Sequence, residues 1–152
     1  MEGLDRQIVH LLVGDGRMSY TDIGRATGLS TSAAQQRVRR LEQRGVITGY
    51  RAVVDPSTLG AELTAYVLLH PFDPSQLDEA PNVVRVVPQV VSCHAVTGRA
   101  SYLLKVQVAD HAELDSVLGR IRHSAAVATE TMVVLSTPFV DRPVDASGPG
   151  EG

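Results

Sequence analysis

A single cysteine, Cys93, stands among 152 residues, so no disulfide can form within the chain. Long apolar runs are missing as well. Runs such as Val67-Leu68-Leu69 and the four residues Met132 to Leu135 fall far short of the roughly 20 that a membrane helix needs. The opening stretch MEGLDRQIVH has acids where a secretory signal has a basic segment and then an apolar one. A cytoplasmic protein without a membrane span is therefore expected. The histidines (His10, His70, His94, His111, His123) lack metal-ligand spacing, and Cys93 and His94, as neighbours on a strand, would point to opposite faces. Cys93 is read as a core or interface residue and His94 as a sheet-face residue. There is no G-x-S-x-G nucleophile turn and no phosphate-binding glycine loop. No metal, no cofactor and no enzymatic activity are expected.

What is present is the composition of a globular protein, 43% hydrophobic and 20% charged. The net charge of −3 hides an asymmetry. Residues 1–54 hold eight arginines against five acids, a net of +3, and the remainder holds six basic and twelve acidic residues, a net of −6. A mildly basic half joined to an acidic half points to a polyanion partner for the first half only.

Leu4, Ile8, Leu11 and Leu12 share one helical face, and Gly14-Asp15-Gly16 stops that helix. Ser19 with Asp22 fits an N-cap pair that opens a short helix over Tyr20–Thr27, closed by Gly28. Gly24 inside it costs about 1 kcal/mol relative to alanine, and close approach of a neighbouring helix is the expected compensation. A third helix starts at Ser30, with Ser32 and Gln35 as a competing capping pair. At about 100° per residue Ala34, Val38 and Leu41 fall on one side. Ser32, Gln36, Arg39 and Gln43 fall on the other, flanked by Gln35 and Arg40, whereas Arg37 lies nearer the core edge. An arginine-rich helix taken alone is more often a solvated face. The preceding helix and the tight TGLS turn make it a helix-turn-helix whose arginine, glutamine and hydroxyl groups suit guanine edges, adenine edges and phosphates. The candidate DNA-binding residues are Thr31, Ser32, Gln35, Gln36, Arg39 and Arg40, with Arg51 placed to meet a phosphate from the β-branched segment VITGYRAVVDP. That segment is expected to be a strand, as in a winged variant.

The polar stretch 55–62, DPSTLGAE, marks a linker between a DNA-binding domain over 1–54 and a second domain over 63–140. Strands are expected at LTAYVLLH, VVSCHAV, YLLKVQV and VATETMVVLST, with a short helix from about Asp78 to Val87 and a turn over Gly98–Ser101. Asp110 with Glu113 opens an amphipathic helix carrying Leu114, Val117, Leu118 and Ile121. The order is βαββαβ, the ferredoxin-like plan, so the fold class is α+β. The first strand is apolar on both sides (Tyr66 and Leu68; Val67 and Leu69), which calls for a second copy of the chain over the face that the helices leave bare. Residues 141–152, DRPVDASGPGEG, have the composition of a disordered tail.

The stretch TDIGRATGLSTSAAQQRVRRLEQRGVITGYRAVVDPSTLG, followed by a βαββαβ domain with VVSCHAVTGRASYLLKVQV, resembles the Lrp/AsnC (leucine-responsive regulatory protein) family of prokaryotic transcription regulators. The likeness runs from residue 4 to about 137. It implies homodimers joined through the C-terminal sheets, often assembled into octamers, that bind double-stranded DNA. It also implies a small-molecule effector, an amino acid or related acid, bound at contacts between dimers near the hairpin Gly98, Arg99, Ala100, Ser101 and Tyr102. Family members commonly have an acid just before the hairpin tyrosine, where it meets a ligand ammonium group, and here that position is Ser101. With Arg99 available and no acid at 101, a ligand carboxylate is favoured over a ligand ammonium. Two other readings sit on the same frame: a siroheme-decarboxylase-like enzyme, which would show a tetrapyrrole absorption band, and a ligand-sensing module without DNA binding, which would fail a gel shift.

Overall fold

The computed structural model describes residues 3–73 and 79–142. The chain divides into two compact units, one reaching to Val53 and including the described residues 139–142, the other Val54–Pro138. Asp78 and the tail beyond Arg142 lie outside the described residues. Among those described, no helix is long and apolar enough to cross a membrane.

The first unit is built on three helices, α1 (Gly3–Gly14), α2 (Tyr20–Thr27) and α3 (Thr31–Gln43). Ile8 from α1, Ile23 from α2 and Ala34, Val38 and Leu41 from α3 are buried together, with Leu12, Met18, Leu29 and Ile47 packed around them. The caps follow the sequence. The Ser19 hydroxyl accepts from the Asp22 N–H at 3.1 Å, and that of Ser30 accepts from the Ala33 N–H at 3.2 Å, so Ser30 and not Ser32 opens α3. Gly28 closes α2 with φ of 72°, a conformation that glycine adopts without steric cost. The segment after α3 differs from expectation: residues 46–55 form no strand. Val46 and Ile47 instead donate back to the carbonyl of Leu41 at the helix end. Val53 and Val54 then run exposed, and an extended segment without a hydrogen-bonding neighbour is no strand.

The second unit opens with a 3₁₀ turn, Pro56–Leu59, capped by Asp55 and Gly60. There follow β1 (Leu63–Pro71), α4 (Ala80–Arg85), β2 (Val90–Ala95), β3 (Tyr102–Val108), α5 (His111–Ala125) and β4 (Val127–Val133). The strands form one antiparallel sheet in the order β2-β3-β1-β4. Period-two alternation sends Leu63, Ala65, Val67 and Leu69 of β1, with Leu104, Val106 and Val108 of β3, to the face covered by Val84 of α4 and Leu114, Val117, Leu118 and Ile121 of α5. The Asp110 carboxylate caps α5 on the Glu113 N–H at 2.8 Å. The Ala109 N–H, donating to Glu113 at 2.7 Å, holds that carboxyl below its ordinary range. β4 stops short of the expected Thr137 because Val133 already pairs with Ala65 and the Val134 N–H bonds to Thr64, next to the start of β1. Leu135 has run off the end of its neighbour and is 97% exposed. The opposite sheet face carries Tyr66 beside Lys105 and Met132, and Leu68 beside Leu103 and Glu130. No described element of this unit covers it; Met132 is half exposed there.

Candidate functional site

The turn between α2 and α3 sets the helix-turn-helix angle through three contacts. The backbone N–H of Leu29 donates to the Gly24 carbonyl at 2.9 Å. A Cβ on Gly24 would lie 2.6 Å from the Leu29 oxygen, closer than real atoms come. What approaches Gly24 is therefore the turn backbone and not, as the sequence led us to expect, a neighbouring helix. The hydroxyls of Thr21 and Thr31 meet at 3.4 Å across the same corner.

α3 is held along one edge. Beside its apolar stripe, Arg37 donates to Asp5 of α1 at 2.7 Å, and Arg44 approaches the other Asp5 oxygen at 3.9 Å. Asp5 is 8% exposed, and these two guanidinium groups are its ion-pair partners. Arg37 thus serves the fold. On the remaining surface Thr31, Ser32, Gln36, Arg39 and Arg40 are exposed and Gln35 is half-buried. Ser32 shares its hydroxyl with the cap Ser30 at 3.1 Å. Arg51 is exposed on the irregular segment, apart from the helix. Its neighbour Tyr50 ties that segment to the end of α3 by donating to Glu42 at 3.0 Å. Desolvation, reinforced by that carboxylate, pushes the Tyr50 hydroxyl up to about 12, so it stays a neutral donor.

In the second unit the hairpin between β2 and β3 is closed by the Val96 N–H on the Ser101 carbonyl at 3.0 Å, while the Ser101 N–H donates to Leu69 of β1 at 2.9 Å. Gly98 sits at φ 117°, which other residues avoid. The hairpin residues do not converge on one point. Arg99 and Ala100 line a recess of about 740 Å³ at the uncovered sheet face, together with Leu68, His70 and Glu130. Tyr102 points to the helical side, where it packs on the core edge and lines a smaller recess of about 480 Å³ with Cys93 and Arg85. Burial pushes the Cys93 thiol up against the opposing pull of Arg85. His94 is exposed.

Comparison with known proteins matches residues 1–42 to the AsnC-type helix-turn-helix domain and residues 64–144 to the Lrp/AsnC ligand binding domain. The chain is 43% identical over 142 residues to the HTH-type transcriptional regulator LrpA of Mycobacterium tuberculosis, covering 93% of this chain and 95% of that one. It belongs to the Lrp/AsnC family of transcriptional regulators. The leucine-responsive regulatory protein of Escherichia coli is 34% identical over 139 residues, 89% of this chain and 85% of that one. Among solved structures, the leucine response regulatory protein of M. tuberculosis superposes with a TM-score of 0.85 at 42% identity, covering 95% of this chain and 99% of that one. The feast or famine regulatory protein of M. tuberculosis complexed with L-methionine gives 0.91 at 43% identity, with coverages of 94% and 97%.

Within this Lrp/AsnC regulator, sequence reasoning did not bring His70 and Glu130 together. Alternation alone puts His70 on the face of Leu68 and Tyr66. Glu130 is a lone charge in an otherwise uncharged strand, and only the register Leu68 to Glu130 brings the two to one recess.

Proposed function

We propose that this regulator reads duplex DNA as a homodimer through α3, and that an amino acid or related acid, bound in the recess beside the β2–β3 hairpin, shifts its DNA affinity. The supporting observation is a helix fixed on one edge by Arg37 and Asp5 while Gln36, Arg39 and Arg40 stand exposed on the other. Base edges in the major groove take these side-chain types, and helix-turn-helix proteins offer the first half of the recognition helix to them. Thr31, Ser32 and Gln35 belong to that half. Arg51 lies off the helix and serves a phosphate.

The dimer rests on the uncovered sheet face, where Tyr66, Leu103 and Met132 leave apolar surface in water unless a second copy covers it. Assembly of such dimers into octamers fits the same family plan, and a cytoplasmic location fits a DNA-binding protein. Arg99 at the rim of the recess is the carboxylate partner of the effector, through two parallel hydrogen bonds. The experiment is selection of bound duplexes from random DNA with and without amino acids. A two-fold-related site with contacts about 34 Å apart is expected. Loss of all enrichment over random sequence would overturn the reading.

A further inference from the structure

We propose that Lys105 of β3 and Glu130 of β4 form reciprocal ion pairs across the dimer, Lys105 of each copy with the partner's Glu130, and that this charge pattern makes the sheet face select an identical chain. This rests on the dimer reading given above and names what decides the partner. Among the described residues, the four strands carry two full charges, Lys105 and Glu130. Both lie on the face that the helices leave bare, where Lys105 stands beside Tyr66 and Glu130 beside Leu68. Lys105 is half-buried and makes no ion pair among the described residues. The Glu130 side chain is 66% exposed, and His70, 3.6 Å from its carboxylate, carries a charge only when protonated. A covering surface that leaves either charge unpaired is strongly disfavoured.

The strand register says which surface meets that demand. Tyr66 is flanked by Lys105 and Met132, and Leu68, one step along the same face, by Leu103 and Glu130. The four flanking residues form a block with its charges at opposite corners, their Cα atoms about 12 Å apart by strand spacing and rise. In a symmetric dimer of facing sheets, a two-fold axis lies between them. An axis along β1 sets Lys105 on the partner's Met132, and an axis across the strands sets it on the partner's Leu103. The diagonal axis through both charges sets Lys105 on the partner's Lys105. The other diagonal sets each Lys105 on the partner's Glu130, while Met132 and Leu103 each meet their own counterpart. That arrangement alone pairs both charges and keeps apolar groups on apolar groups. A related chain without this pattern leaves an ammonium or a carboxylate unpaired in the interface, which disfavours mixed dimers.

Native mass spectrometry of the full chain, with a heavy-isotope label on one member of each mixture, tests this. Lys105→Glu and Glu130→Lys, each alone, should raise the dimer dissociation constant about 100-fold or more, since each reversal makes both pairs repulsive and one close pair carries about 10-fold or more. An equal mixture of the two variants should form mixed dimers at native strength. The doubly reversed chain should dimerise with itself and not with the native chain. Thermal denaturation shows whether each variant is folded, and recovery in the mixture reads the pairing even where a single variant is not. Single variants that dimerise as the native chain does, or a mixture that stays dissociated, overturn the pairing. So does rescue of Glu130→Lys by Arg99→Glu in place of Lys105→Glu. Tyr66→Glu, at the centre of the face, tells the two readings apart. Loss of its dimers leaves the sheet-face dimer standing whatever the charge variants do, and native-strength dimers in that variant overturn the dimer reading together with the pairing.

Discussion

Arg37 and Arg39 differ by two positions and by everything around them. Arg37 neutralises Asp5, which is 8% exposed. Among the described residues its removal leaves that carboxylate the more distant Arg44, and Arg37→Ala should lower unfolding free energy by about 1–3 kcal/mol without changing base preference. Arg39→Ala and Gln36→Ala should leave denaturation unchanged. Each should cost about 1–3 kcal/mol on a selected site and relax preference at one base position per half-site. Arg51→Ala should weaken selected and random DNA alike. Parallel titrations on both duplexes read these differences, and a uniform loss in every variant would show that α3 does not face the groove. Tyr50 supplies a pH test. Its folded value, about 12, lies above the ordinary phenol value of 10.0, so the stabilisation from its bond to Glu42 is complete below about 10 and is lost as pH rises through about 12. Spectrophotometric titration should show one tyrosine ionising late in the native protein, and that step should vanish in Tyr50→Phe.

Two glycines in helices make opposite predictions at the level of elements. Gly24→Ala drives a methyl to 2.6 Å from the Leu29 backbone oxygen, which must move. It should destabilise by about 1–3 kcal/mol, the usual range for overpacking. Gly119→Ala in α5 meets nothing within 4 Å and should stabilise by up to about 1 kcal/mol. Chemical denaturation of both variants decides, and stabilisation by Gly24→Ala would mean that the turn is looser than described. Caps and alternation made most elements readable in the sequence, since the Ser19, Ser30 and Asp110 signals and the period of β1 and α5 are local. What stayed hidden depends on partners far along the chain. Residues 46–55 are β-branched yet lack a ladder, β4 ends where β1 begins, and the meeting of Glu130 with His70 is a matter of register. Tyr102 has the parity of Leu104 and Val106, so it faces the core and not the recess of Arg99.

For the whole molecule, the +3 half and the −6 half separate the two tasks. Contact with phosphates should make DNA affinity fall about 1,000-fold or more between roughly 50 and 200 mM salt if each subunit of a dimer meets about four of them. On the proposed function, binding of an amino acid in the second unit is coupled to binding of DNA by the first, and coupling of this kind amounts to about 5- to 150-fold. The most direct measurement is fluorescence anisotropy of the full chain on its selected duplex, titrated with and without a saturating amino acid that calorimetry has shown to bind. A shift of the DNA dissociation constant by about 5-fold or more, in either direction and lost in Arg99→Ala, is expected. An unchanged dissociation constant under saturating amino acid would contradict a regulator tuned through this recess.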